Sequence, residues 1–298
     1  MSTLMVLGNA TLDVVQRVER LPAIGETVLG EAPMRCPGGK GLNQAIVAAR
    51  AGARVDFAAA IGADDAGVVL RAAVACEPVA RVRWIDSPAA TDMSSIWVDG
   101  RGRNMIASSA AAARGIAPER AAAVVVESLD AGDWLLLQGN LAADATLAAA
   151  AAARARGCRV AVNAAPVAFD FGPVLALCDL LIVNEVEAVA LTGLADPYAA
   201  SRRLVGRCQV VLTVGALGAV LLDGASEIAI EAPRVDVVDT AGAGDTLVGL
   251  LLAELSLGSD PAGALRLAIA GASLSVTRPG TSTAFPTQSE IAALRRSA

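Results

Sequence analysis

Val237-Val-Asp-Thr-Ala-Gly-Ala-Gly-Asp-Thr-Leu-Val-Gly249 decides how the rest of the chain is read. A short apolar strand end runs into Asp239-Thr240, the small residues Gly242, Ala243 and Gly244 follow, and behind Asp245 the apolar segment Leu247–Leu257 is long enough for a helix. Small residues let backbone come close to a ligand. A glycine-rich turn at a helix start leaves N–H groups free and attracts anions, and the same field favours the charged form of an aspartate. The stretch sets an anion cradle beside a carboxylate. That suits phosphoryl transfer to a hydroxyl, the carboxylate taking the hydroxyl proton while the cradle holds the charge that builds on the transferred group. A plain helix N-terminus with an acidic first turn accounts for the same residues, so the rest of the chain has to decide.

The 298 residues are 55% hydrophobic and 18% charged, enough for a large core in one domain with at most a small appendage. A net charge of −6 leaves no basic footprint for nucleic acid. No apolar run reaches membrane-spanning length without a charge or turn residue, and Met1-Ser-Thr-Leu-Met-Val-Leu-Gly8 lacks the basic start of a signal peptide. The five cysteines (Cys36, Cys76, Cys158, Cys178, Cys208) are scattered with no CxxC pair, which reads as reduced thiols in a cytoplasmic protein. There is no histidine. This removes Ser-His-Asp and Cys-His catalysis and leaves base work to a carboxylate, a lysine, a cysteine or the single tyrosine, Tyr198. Lys40 is the sole lysine and sits in a glycine cluster.

Leu4–Gly8 reads as a buried parallel strand ending in glycine, with Asp13 just beyond it, where open α/β sheets bind ligands; a solvated loop aspartate reads equally well at this point. Pro22 and Gly25 predict a turn and Thr27–Arg35 a second, antiparallel strand, the beginning of a small β appendage. Pro37-Gly-Gly-Lys-Gly-Leu-Asn43 opens a helix whose apolar face is Leu42, Ala45, Ile46 and Ala49, with Lys40 and Asn43 on its first turn. It is not a GxxxxGK[ST] loop, and no GxGxxG follows a strand. Val55–Gly62 is a strand and Asp64 starts a helix toward Val74. From Arg81 to Ser109 the pattern is β, with a Gly100-Arg-Gly turn, and is expected to join the appendage. Strands at Asp133–Gly139, Arg159–Asn163, Leu180–Asn184 and Gln209–Gly215 then alternate with helices at 142–156, 185–191 and 197–207. Ala219–Asp223 and Ser226–Glu231 follow as strands, then helices after Asp245 and over 261–277, and Thr287-Gln-Ser-Glu290 caps a last helix. Such alternation predicts a mostly parallel sheet covered on both faces.

Five motifs in order carry a resemblance. They are Gly38-Gly-Lys-Gly-Leu-Asn-Gln-Ala45 with Gly52 and Gly62 behind it, Asn163-Ala-Ala-Pro166, Val183-Asn-Glu-Val-Glu187, Thr213-Val-Gly-Ala-Leu-Gly218 and Asp239-Thr-Ala-Gly-Ala-Gly-Asp245. Nearly end to end, the chain resembles a ribokinase-like carbohydrate kinase of the PfkB family. The resemblance implies a three-layer α/β/α sandwich with a small β lid, here one domain over 1–298 with the lid at about 11–36 and 88–109. It implies transfer from ATP, with Mg²⁺, to a primary hydroxyl. By position, Asp245 is the base and the N–H groups of Ala243, Gly244 and Asp245, with Gly242 in the turn, form the anion hole. Asp13, Gly39, Lys40 and Asn43 hold the sugar, with Thr11, Gly38 and Asn140 at the same pocket. Asn184 and Glu187 order the metal and its waters, and Thr213, Gly215 and Gly218 line the nucleotide. Asp239 and the carbonyls of Ala241, Ser275, Arg278 and Gly280 cage a potassium ion.

This chain departs from the ribokinase pattern at Thr11 in place of Asn, Asn140 in place of Glu, Ile269 near the adenine in place of His, and Ala284 in place of Ser. The sugar set has no aromatic shelf, and with aromatics at 3% candidates for stacking a base are few, Trp97 the main one. A sugar phosphate would need basic residues, of which Arg101 and Arg103 are the nearby pair. The expectation is a free pentose or hexose as substrate. A nucleoside kinase and a non-catalytic homologue on the same fold are the alternatives, and a homodimer through the lid is compatible with its open edges.

Overall fold

The computed structural model describes residues 2–101, 103–206 and 208–297. Its first half comprises β1 (Thr3–Leu7), β2 (Thr11–Arg17), β3 (Met34–Gly38), α1 (Lys40–Arg50), β4 (Arg54–Ile61), α2 (Asp65–Val74), β5 (Arg81–Asp86), β6 (Met93–Val98), β7 (Asn104–Ser108), α3 (Ala111–Arg114) and α4 (Pro118–Ser128). There follow β8 (Trp134–Gln138), α5 (Ala143–Ala155), β9 (Arg159–Asn163), α6 (Gly172–Leu175), β10 (Leu180–Asn184), α7 (Glu185–Thr192), α8 (Pro197–Leu204), β11 (Gln209–Thr213), β12 (Ala219–Asp223) and β13 (Ser226–Ile230). Three helices close the chain: α9 (Ala243–Leu257), α10 (Pro261–Ser275) and α11 (Gln288–Ser297).

The main sheet has nine strands in the order β13-β12-β11-β10-β9-β8-β1-β4-β5. Every pair is parallel except β11–β12 and β12–β13. Side chains alternate across a strand, so β1 feeds both layers: Leu4 and Val6 pack with α1, α9 and α10, while Met5 and Leu7 pack with α4 and α5. The arrangement is the expected α/β/α sandwich. A separate four-stranded sheet, β3-β2-β6-β7, is built from two excursions of the chain, with β2 and β6 parallel across them.

Several helix ends follow from local chemistry. Asp64, Asp196 and Asp260 each accept a first-turn N–H, and Pro197 and Pro261 take the first helical position behind the last two. Gly193 closes α7 in the left-handed region. Among the described residues no helix is long and apolar enough to cross a membrane.

Four expectations need correction. The second strand of the appendage starts at Met34, not Thr27, and before it only Val18 and Gly30 form an isolated bridge. Pro33 cannot donate to a ladder and ends the earlier run, whereas Pro37 is tolerated because β3 is an edge strand. Arg81–Asp86 belongs to the main sheet, parallel to β4, because α2 carries the chain across as a βαβ crossover. Helix α4 was not expected; Pro118 at its first turn marks its start. Helix α9 begins at Ala243, which places Asp245 inside its first turn. The expected turn residue Gly102 and helix end Arg207 lie outside the described residues.

Candidate active site

Polar side chains converge where the parallel strands end and α1 and α9 begin. Helix α1 is buried on nearly every side from Gly41 to Ala49, so its two amides, Asn43 and Gln44, must find partners inside the protein. They find them on α9. Asn43 Nδ2 donates to Asp245 Oδ2 at 2.9 Å, and Gln44 Nε2 donates to Asp245 Oδ1 at 3.0 Å. Gly249, one turn beyond Asp245, is what lets the helices approach: a Cβ there would lie 2.7 Å from Val47 Cβ and 2.8 Å from the Gln44 carbonyl oxygen.

The network continues into the sheet. Gln44 Nε2 also donates to Asn163 Oδ1 (3.0 Å), Asn163 Nδ2 donates to the Ile182 carbonyl (3.2 Å), and Gln138 Nε2 donates to Gln44 Oε1 (2.9 Å). Gln138 and Asn163 are the last residues of β8 and β9. Asp245 is only 8% exposed and Gln44 is wholly buried.

The turn before Asp245 has the geometry of an anion cradle. Gly242 caps α9 at φ 78°, with no side chain capping the N-terminus. Ala243 N–H reaches the Thr240 carbonyl at 3.3 Å and Thr246 N–H donates to Gly242 O, while the N–H groups of Gly244 and Asp245 have no acceptor among the described residues. In front of Gly244 there is open space: a Cβ built there meets nothing within 4 Å.

Asp13 stands near this carboxylate. It is 9% exposed, Thr11 Oγ1 donates to its Oδ1 at 2.7 Å, and Gly38 leaves the room it occupies, since a Cβ there would fall 2.0 Å from Oδ2. Burial pushes the Asp13 carboxyl above its ordinary value, hydrogen bonds from Thr11 and Ser94 oppose this, and the Asp245 charge adds to it. Glu187 is likewise raised by burial, opposed by the Asn184 N–H and by Lys40, and pushed further by Asp245. Asp13, Lys40, Glu187 and Asp245 therefore share one electrostatic neighbourhood, with Gly39 as the α1 N-cap beside Lys40.

Asn184 and Glu187 form a capping box on α7: Glu187 N–H donates to Asn184 Oδ1 (2.8 Å) and Asn184 N–H to Glu187 Oε2 (2.9 Å). Glu187 Oε1 stays free of it. Thr213 ends β11 and donates weakly to the Val183 carbonyl at 3.4 Å. Gly215 opens a single 3₁₀ turn and Gly218 closes it. On the other side of the cradle, Asp239 ties two segments together, accepting from Ala241 N–H (2.9 Å) and Gly280 N–H (3.0 Å). Ser275 Oγ donates to Ala272 O, and the Arg278 side chain pairs with Glu290.

Among the described residues, three buried side-chain oxygens in this region have no partner: Asn43 Oδ1, Gln138 Oε1 and Asn140 Oδ1. Arg103 pairs with Asp99, and Arg101 N–H also donates to Asp99. Tyr198 bonds Glu227 away from the cluster, and Ile269 is a core side chain. Sequence reasoning assigned no role to Gln44, Gln138 or Asn163. The signal was present in Gln44, which with Asn43 is one of two amides in the otherwise small and apolar stretch Gly41–Ala49.

Comparison with known proteins finds relatives along nearly the whole chain. Residues 1–288 match the pfkB family carbohydrate kinase profile. A ribokinase of Haemophilus influenzae is 32% identical over 301 residues, 97% of this chain and 96% of that protein. Ribokinase from Thermotoga maritima superposes with a TM-score of 0.90 at 27% identity, covering 99% of this chain and 100% of the other. An Arabidopsis thaliana ribokinase complexed with ribose and ATP gives 0.83 at 26% identity, with 99% of each chain covered.

Proposed function

The chain belongs to the pfkB family of carbohydrate kinases, and from that membership we propose that it transfers the terminal phosphoryl group of ATP to a primary hydroxyl of a free pentose or hexose, with Asp245 as general base. The observation that carries the reading is the pairing of a fixed carboxylate with unclaimed N–H groups on one helix turn, Asp245 beside Gly244. The carboxylate removes the hydroxyl proton as the new O–P bond forms, and the N–H groups stabilise charge on the transferred phosphoryl. The unpartnered Asn43 Oδ1 and Asn140 Oδ1, together with Asp13, are acceptors that a ligand rich in O–H donors would satisfy.

Thr11, Asp13, Gly38, Gly39, Lys40, Asn43 and Asn140 form the sugar side of the site in this reading, and Thr213, Gly215 and Gly218 the nucleotide side. The donor set fits the expected metals. Glu187 keeps one oxygen outside its capping box, which suits Mg²⁺ held through water; the ion would neutralise phosphate charge. Asp239 and the carbonyls of Ala241, Ser275, Arg278 and Gly280 offer only oxygen, which suits K⁺ beside the cradle turn. The four-stranded sheet, which contributes Thr11, Asp13 and Ser94, would act as a lid. Its outer strands β3 and β7 keep an open edge and expose Met34, Met105 and Ile106, which supports pairing of two copies there. Five free cysteines support a cytoplasmic setting.

ADP release measured against a panel of free sugars and a panel of nucleosides tests the reading. Turnover with a pentose or hexose is expected, and a preference for a nucleoside over every sugar would overturn it.

A further inference from the structure

Both N–H donors of the Gln44 amide and its oxygen are engaged. Its two N–H donors serve Asp245 Oδ1 and Asn163 Oδ1, and its oxygen receives Gln138 Nε2. Its orientation is dictated from two directions. The Ile182 carbonyl can only accept, so Asn163 must turn its NH₂ toward it and present Oδ1 to Gln44. An ionised Asp245 can also only accept, so it too requires the Gln44 NH₂. Both demands point the Gln44 oxygen at Gln138, whose NH₂ meets it. Reversing any one amide would set oxygen against oxygen or N–H against N–H.

We propose that Gln44 is a positioning residue for phosphoryl transfer, holding the Asp245 carboxylate in one rotational setting through an amide chain anchored on the Ile182 carbonyl. The proposal rests on the reading of Asp245 as the base. Asn43 grips only Oδ2. With Gln44 absent, the carboxylate is free to swing about that single bond, and a lone pair aimed at a hydroxyl loses its aim. Gln138 and Asn163 act one step further out, through Gln44. Gln138 lies two residues before Asn140, so the chain also connects the strand end expected to meet the sugar with the residue expected to take its proton.

The test uses the full-length enzyme. Gln44→Met keeps the side-chain length and removes the grip; kcat is expected to fall about 10–100-fold while both KM values stay within about threefold, the pattern of a misaimed group. Gln44→Glu puts a second carboxylate about 3 Å from Asp245, and two carboxylates at such a distance resist ionising together, so the acid limb of the kcat–pH profile should move up by about one unit or more. A merely structural Gln44 would lower the melting temperature and leave kcat of the folded Gln44→Met protein unchanged. Gln138→Met, which loosens only the far end of Gln44, should show the Gln44→Met pattern in weaker form and keeps the question decidable if a Gln44 variant fails to fold. A kcat within twofold of wild type in folded Gln44→Met, an unmoved acid limb in folded Gln44→Glu, or an unchanged kcat in Gln138→Met would each overturn the proposal. Asp245→Asn, run alongside, separates the two claims: if that variant still turns over, the base assignment falls, and if it is dead while the Gln44 and Gln138 variants behave as wild type, only the positioning role falls.

Discussion

Asn43 donates to Asp245 Oδ2 over 2.9 Å although 202 positions of chain separate them. A residue expected on the sugar side thus holds the residue expected to take the proton. Replacing the carboxylate by an amide, Asp245→Asn, preserves shape and removes basicity. Turnover should fall by at least roughly 10²-fold with sugar affinity, measured by calorimetry, largely kept. Near-normal kcat would remove Asp245 from the chemistry.

The open space in front of Gly244 permits a sharper test. Its φ is not left-handed and an added Cβ touches nothing, so Gly244→Ala should fold as well as wild type or gain up to about 1 kcal/mol. The methyl group would nevertheless stand in the cradle, and kcat/KM should drop about tenfold or more. Unchanged activity with unchanged melting temperature would mean that no phosphoryl group passes there.

Thr11 controls Asp13. Its hydroxyl donates to the Asp13 carboxylate and holds its pKa down against burial. Thr11→Val should therefore raise that pKa further and move the acid limb of kcat/KM for sugar to higher pH. Stability changes with the same sign: a carboxyl whose folded pKa exceeds its unfolded value stabilises the fold below the unfolded pKa and loses that contribution as pH rises through the folded pKa. The variant should lose more stability than wild type between acidic and neutral pH in denaturant titrations. Parallel profiles would contradict the assignment.

Asp239 joins the 239–241 turn to Gly280. If a potassium ion completes that join, rates in potassium should exceed those in tetramethylammonium at equal ionic strength, and Asp239→Asn should erase the difference. Equal rates for wild type in both salts would refute the cation site.

Asn140 carries a buried oxygen without a partner. Asn140→Glu is expected to raise kcat/KM for ribose relative to other sugars, because a site built to meet hydroxyls discriminates by the groups it leaves unpaired. An unchanged ranking across the sugar panel would show that selectivity is set elsewhere.

The parallel sheet was legible because apolar runs such as Leu4–Leu7 carry their own signature, and the cradle because Gly242, Ala243 and Gly244 stand together before Asp245. The start of β3 was not, because Thr27–Leu29 carries strand-forming residues while only Gly30 behind it finds a partner, Val18, and Pro33 interrupts the run before Met34. Asn184 and Glu187 spelled a capping box in plain view, Asn-x-x-Glu at a helix start. Gln44 stood out in the sequence as a large amide, but its role could not be read there. Its role depends on Asp245, Asn163 and Gln138 meeting in space, and that meeting depends on how closely Gly249 lets two distant helices approach.

The placement of Asp245 on α9, behind the last strand of the main sheet, also bears on how the molecule comes into being. During synthesis Asn43 and Gln44 leave the ribosome early, and the strands carrying Asn163 and Gln138 follow well before α9 emerges. Until then the amides have no carboxylate to grip. On the proposed reading, a chain released before α9 carries the residues assigned to the sugar and lacks the one assigned to take its proton.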